Sequence, residues 1–440
     1  MPEPAPIDAS PPLAPVYPFN EPGRPVVLHH GLVGGLATND VVGTVELSCM
    51  PRPSIEWRVE PWAFPPSMIG MEVTLLLRRP NGDIEVPVYV HELGGGWSNG
   101  AVIGSTDIPL TRVVAHWFNL PNWHGPGRLT GTTSDGGQRW WSGRWVLEAN
   151  GWRIELDVRP DHSRVWADLH KSDVYVMTHA MELRRSDGAE FTADEAEPLL
   201  AALHIGVSFA LGRWAAPMLP VGEDANGNVV WEDWRGLHCD PARSPSPGWW
   251  YEQDHATLAD LLESVVPVFT DPGKREILRF QLMLAILTVT DRGVVEQRVM
   301  TGASGLEHLM FQTLVVNGTL TRKQYKDQPA HKSLRTVLSA AQIPVDIDAA
   351  LQPVIAEFAA DEAKRQGKAL DGPDVVTQIR NRLVHPSGAQ EQLYERGGLL
   401  LEAWLLTRHY LVLLILHSIG YSGPYRDLRR RDHWVGQRPR

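Results

Sequence analysis

Short runs of alternating apolar and polar residues fill the chain from about residue 41 to 185. "GTVELSCM", "SIEWRVE", "MEVTLLLRR", "IEVPVYV", "TRVVAHWF", "RWVLEA", "WRIELDV" and "VYVMTHAMEL" are rich in Val, Ile, Trp and Tyr. A period of two with these residue types predicts half-buried strands. Asn81-Gly82 and Asn150-Gly151 separate two pairs of such runs. Asn-Gly supplies the positive φ angles of a type I′ hairpin turn. Many short strands at this spacing predict an antiparallel sandwich-like region or open barrel over residues 26–190.

The period changes after residue 190. "FTADEAEPLLAALHIGVSFALG" starts with Thr192 and Glu195, a capping-box pair before an apolar run. It opens a mixed connecting region, 191–254, with a Trp-rich segment at 229–250. From about 255, apolar residues recur at three- and four-residue spacing. They predict helices at 256–270, 273–292, 296–317, 331–342, 347–367, 373–385 and 390–419. The fold class is therefore α+β and multidomain, with an all-α bundle over 255–425. Nine prolines in residues 1–25 predict an extended arm. Residues 426–440 form a basic tail with six arginines against two aspartates.

Composition narrows the function classes. The formal charge of -11 argues against a general nucleic-acid coating protein, which carries basic stripes, but leaves room for a local basic site. Cys49 and Cys239, the two cysteines, offer neither a disulfide framework nor a zinc spacing. The N-terminus lacks the basic flank and apolar run of a signal peptide. The most apolar stretch, 397–420, is interrupted by Glu402, Arg408 and His409 and reads as a buried core helix. The expectation is a soluble, cytoplasmic protein without a membrane partner. Fifteen of the 17 tryptophans precede residue 251. Most suit core packing; Trp249 and Trp250 in "GWWYE", with "RWWSGRW" (139–145), are the candidates for an exposed binding platform.

One segment carries candidate chemistry: "GPDVVTQIRNRLVHPSG", residues 372–388. Pro373 suits a first helical turn, with Asp371 or Gly372 as cap. Val375, Val376, Ile379 and Leu383 form one stripe, with Arg380 at its border. His385 precedes Pro386, a position disfavoured for helical angles, so the helix should end there. Arg380 and His385 lie about 140° apart around an ideal helix, so they share no face. They can still meet in one groove, above all if a second subunit closes it.

Arg380-Asn381-x-x-x-His385 matches the R-N-x-x-x-H form of the HEPN motif, and the region resembles that superfamily of small helical bundles. "SGLEHLMFQTLV" resembles the first long helix of such a bundle, and the apolar run ending "HYLVLLILHSIGYSGPY" its closing helix. The whole order is similar to ApeA-like and YopA-central-domain-like proteins, which pair a β-rich N-terminal region with a HEPN-like C-terminal one. "PRPSIEWRVE" and "VVWEDW" are similar to the N-terminal part. The resemblance implies a metal-independent endoribonuclease without a cofactor, active as a homodimer in antiphage defence or toxin-like growth arrest. In that scheme Arg380 holds phosphate, His385 does acid–base work, Asn381 assists, and Arg382 adds a binding contact. The β-rich region would sense or regulate through an unknown ligand. The non-catalytic alternative is a ligand-binding, dimerising scaffold in which Arg380 pairs with a bundle carboxylate such as Glu307 and His385 caps its helix. A third alternative is a carbohydrate-binding sandwich.

Overall fold

The computed structural model describes residues 9–36, 39–60, 65–80, 82–123, 125–132, 137–169, 171, 173–242, 247–252, 254–289, 293–385 and 391–430. Asn81, Pro386 and the tail beyond residue 430 lie outside the described residues. The chain divides into two compact units. The first comprises residues 1–204 and 214–244, the second residues 205–213 and 245–440.

The first unit is β-rich, as the alternation predicts. Its strands are β1 (Ala9–Ser10), β2 (Val26–Gly34), β3 (Val41–Ser48), β4 (Ser54–Glu60), β5 (Glu72–Leu77), β6 (Ile84–Glu92), β7 (Gly95–Ser98) and β8 (Val102–Gly104). There follow β9 (Arg112–Phe118), β10 (Gly127–Thr132), β11 (Gln138–Ala149), β12 (Trp152–Val158), β13 (Met177–Arg185), β14 (Ala216–Glu223) and β15 (Val229–Asp233). Six of them close a barrel in the order β2-β3-β4-β7-β6-β5. Closure comes from β2 pairing with β5, Val33 opposite Leu77. Alternation fills the interior: Val45, Leu47, Trp57, Leu75, Val86 and Val88 are each at most 1% exposed.

The other nine strands form a second sheet, β1-β10-β11-β12-β13-β9-β14-β15-β8. Asn150 and Gly151 both take positive φ, 50° and 78°, in the β11–β12 turn, as a type I′ hairpin requires. The stretch read as a connector supplies β14 and β15 to this sheet. Part of the proline-rich arm also belongs to it. β1 pairs in parallel with β10, and the Leu13 amide donates to Asp157 at 2.7 Å. Two helices complete the chain before residue 212: α1 (His162–Leu169) and α2 (Ala193–Leu211).

The second unit is helical. Its elements are α3 (His255–Phe269), α4 (Pro272–Leu287), α5 (Val295–Phe311), α6 (Arg322–Asp327), α7 (Ala330–Ala340), α8 (Pro353–Gln366), α9 (Gly372–Val384), α10 (Glu391–Glu395) and α11 (Leu399–Ser418). A π-helical turn, Gln312–Val316, ends α5. The single helix expected at 390–419 is two helices, because Gly398 takes a φ of 90° between them. α11 is apolar on every side, the pattern of a core helix. By length and composition it could cross a membrane, and 89% of its apolar window is buried within the protein.

Close packing of α5 on α11 depends on glycine. A Cβ at Gly302 would lie 2.8 Å from the Thr407 side chain, and one at Gly305 2.8 Å from Leu411. Glu402 on α11 is fully buried, yet its carboxylate accepts from the Ile355 amide in the first turn of α8 at 2.9 Å. An unpaired helix N-terminus thus satisfies a buried acid.

Candidate functional site

Helix α9 is built as its sequence dictates. The Asp371 side chain caps it, accepting from the Asp374 amide at 3.0 Å, and Pro373 occupies the first turn. Arg335 on α7 clamps this end, donating to Asp371 at 2.6 and 2.9 Å and to Asp374 at 2.8 Å. Burial pushes the Asp371 carboxyl up, but Arg335 and the bonds with Asp374 outweigh it and hold the group below the usual carboxylate range. Val375, Val376 and Ile379 are at most 2% exposed and fix the helix's rotation against the bundle. The helix ends at Val384, with His385 as an extended C-cap whose amide donates to the Asn381 carbonyl at 2.8 Å.

That rotation sends Arg380 and Asn381 to one place and His385 to another. Arg380 points into a cavity of about 300 Å³ between α5, α6, α7 and α9, lined also by Asn381, Glu307, Tyr325 and Lys326. Its Nη1 donates to Asn381 Oδ1 at 3.1 Å, and Nη2 lies 3.7 Å from Glu307. The Glu307 side chain is 62% exposed, so this is a loose surface pair. His385 is exposed at the end of the helix and does not line the cavity. One chain therefore joins Arg380 to Asn381 and leaves His385 apart. Five residues of helix separate them by roughly 7.5 Å along the axis.

Arg382, expected to bind, faces inward instead. It donates to Glu362 at 2.7 Å, its guanidinium lies 5.2 Å from the Phe358 ring centroid, and its side chain is 11% exposed. Burial pushes the Glu362 carboxyl up, and Arg382, Arg365 and Gln366 reverse this to a net lowering. Trp249 and Trp250, expected as an exposed platform, are each 1% exposed. Trp249 packs against Phe209 and Tyr421, and Trp250 donates to the Asp254 carbonyl at 2.8 Å. In "RWWSGRW", Trp140 is exposed on β11, whereas Trp141 and Trp145 are buried.

The sequence reading missed a second recess. It holds about 650 Å³, is lined by Phe280, His308, Phe311 and Arg322, and shares Glu307, Tyr325 and Lys326 with the Arg380 cavity. Short helix α6 forms one side. Its signal was present: in "TRKQ", Thr321 and Gln324 make a reciprocal capping box. Among the described residues, no group of three or more His, Cys, Asp or Glu is arranged to hold a metal ion.

Residues 105–245 match the YopA central domain, and residues 286–439 match the YopA C-terminal domain. The chain is YopA-like. The C-terminal match takes in α5 to α11, hence the Arg380 motif and its cavity, and all of the second recess except Phe280 on α4. The central match takes in β9 to β15, and the barrel lies outside both matches. The chain is also 28% identical over 289 residues to the SPbeta prophage-derived uncharacterized protein YopA of Bacillus subtilis (strain 168). The match covers 64% of this chain and spans 62% of that protein's length. No solved structure matches.

Proposed function

We propose that the helical unit is a HEPN-like, metal-independent endoribonuclease that acts as a homodimer, with the β-rich unit as its sensor or regulator. The observation that carries this reading is the Arg380–Asn381 pair at an open cavity, with a loose, exposed contact to Glu307. A phosphate can displace such a carboxylate and take both guanidinium nitrogens.

RNA brings its own nucleophile, the ribose 2′-OH. Attack by the 2′-oxygen on the adjacent phosphorus forms a 2′,3′-cyclic phosphate and breaks the bond to the 5′-oxygen. Arg380 stabilises the charge that develops on the phosphate. An imidazole accepts the 2′-proton, and one is needed to protonate the departing 5′-oxygen. With His385 set apart from Arg380 in one chain, two copies facing each other supply both imidazoles. Asn381 holds the guanidinium in place. The setting would be antiphage defence or toxin-like growth arrest.

A purely structural role has one observation in its favour, the Arg380–Glu307 pair itself. Induced expression separates the two. The nuclease reading expects growth arrest from the wild type and none from His385→Ala at equal protein level. Equal arrest, or none from either, favours the scaffold.

A further inference from the structure

We infer that the recess bounded by Phe280, His308, Phe311 and Tyr325 is a nucleobase subsite, and that Glu307 selects for guanine in a single-stranded RNA. The inference deepens the nuclease reading and rests on it for the choice of RNA.

Four observations converge. The recess adjoins the Arg380 cavity, sharing Glu307, Tyr325 and Lys326 as lining residues, so a base can sit beside a phosphate held by Arg380. Its volume lies in the range of small-ligand pockets. Its walls are aromatic. Phe311 and Tyr325 meet edge to face at 5.6 Å, and Phe280 and His308 do so at 5.1 Å. Gln281 holds His308 Nδ1 at 3.4 Å, and burial lowers the imidazole's pKa, so the ring is an uncharged surface at neutral pH. Phe280 is 38% exposed at this opening, an apolar face left for a flat partner.

Charge then chooses among flat partners. Arg322 and Lys326 are exposed at the rim, where phosphates on either side of a base would lie. The recess lining also carries one carboxylate, Glu307, 62% exposed. A carboxylate repels phosphate but accepts hydrogen bonds from base edges. Guanine presents two parallel donors, its N1–H and 2-amino group. Cytosine and adenine present one exocyclic amine. Uracil presents a single N–H between two carbonyl oxygens, which a carboxylate repels. The order expected is guanine first and uracil last. Duplex RNA is excluded, because its bases are stacked away from such a pocket.

Fluorescence anisotropy of the full-length chain tests this, with His385→Ala as the background so that RNA stays intact. The probes are a short labelled oligouridylate and the same oligonucleotide with scattered guanines. The guanine probe should bind about tenfold tighter, the discrimination of one bidentate base contact. Glu307→Gln should erase most of that difference, and Tyr325→Ala should weaken the guanine probe about tenfold, the loss of one stacked base. Glu307 is exposed and the change isosteric, so this variant decides should Tyr325→Ala fold poorly. Equal binding of the two probes, or a preference that Glu307→Gln leaves intact, overturns the subsite. If the preference stands but the wild type leaves RNA uncut, the nuclease reading falls and the subsite survives. Cleavage that is indifferent to Glu307 and guanine leaves the nuclease reading and removes the subsite.

Discussion

Two arginines separated by one residue have opposite tasks. Arg380 lies at a cavity with a loose partner, whereas Arg382 is buried on Phe358 and Glu362. Arg382→Ala should cost about 1–3 kcal/mol, because it uncovers Phe358 and leaves the buried Glu362 with fewer donors. Arg380→Ala should change stability by less than about 0.5 kcal/mol, since an exposed pair is worth little. Chemical denaturation of the two variants checks both values. The sequence placed Arg380 correctly at the border of the α9 stripe, because helical period is local. It could not separate Arg382 from it, since Phe358 and Glu362 sit about twenty residues away on α8. Trp249 and Trp250 failed for the same reason. Trp249 meets Phe209 and Tyr421, and the Trp250 amide donates to the Ala210 carbonyl, all distant in sequence, and a WW pair reads alike exposed or buried.

At the scale of elements, α9 is fixed mostly at its start. Gly372 admits no side chain, since a Cβ there would lie 2.1 Å from the Tyr410 hydroxyl. Gly372→Ala should therefore displace the helix that carries Arg380 and His385, at a cost of roughly 1–3 kcal/mol. Adding Tyr410→Phe should recover part of the loss by removing the clashing oxygen. Thermal melts of the single and double variants test this, and equal melting temperatures for both would contradict it. The ends of α9 were legible because capping residues and the proline after His385 act locally. The short α6 was legible in principle through its capping box. The division of the last helix at Gly397-Gly398 was obscured by the strong apolar pattern that follows.

On the scale of the molecule, the division into a β-rich and a helical unit follows directly from the change of period. Barrel closure does not, because it depends on β2 finding β5 across two intervening strands. Each unit also hides a histidine that resists protonation. His116 in the sheet accepts from the Val16 amide through Nε2 at 3.1 Å, with Nδ1 3.0 Å from the Leu219 carbonyl, and burial lowers its pKa to about 4. His409 on α11 is lowered to about 4 by burial and by Arg429 and Arg408, against the pull of Asp427. Both folded values lie below the unfolded one of about 6.5. The unfolded chain therefore binds more protons on acidification. The stability from each neutral imidazole is complete above about pH 6.5 and is lost as pH falls toward 4, at up to about 1.4 kcal/mol per pH unit. Denaturation between pH 7 and 5 should show this loss, and His409→Gln should flatten it for the helical unit.

The proposed activity requires that Arg380 and His385 together cut RNA. The direct measurement is incubation of the purified full-length chain with single-stranded RNA in the presence of a chelator, followed by analysis of the product ends. The wild type should yield 2′,3′-cyclic phosphate and 5′-hydroxyl ends, and Arg380→Ala and His385→Ala should yield none. Intact RNA with the wild type, or cleavage that persists in both variants, would contradict the proposed site.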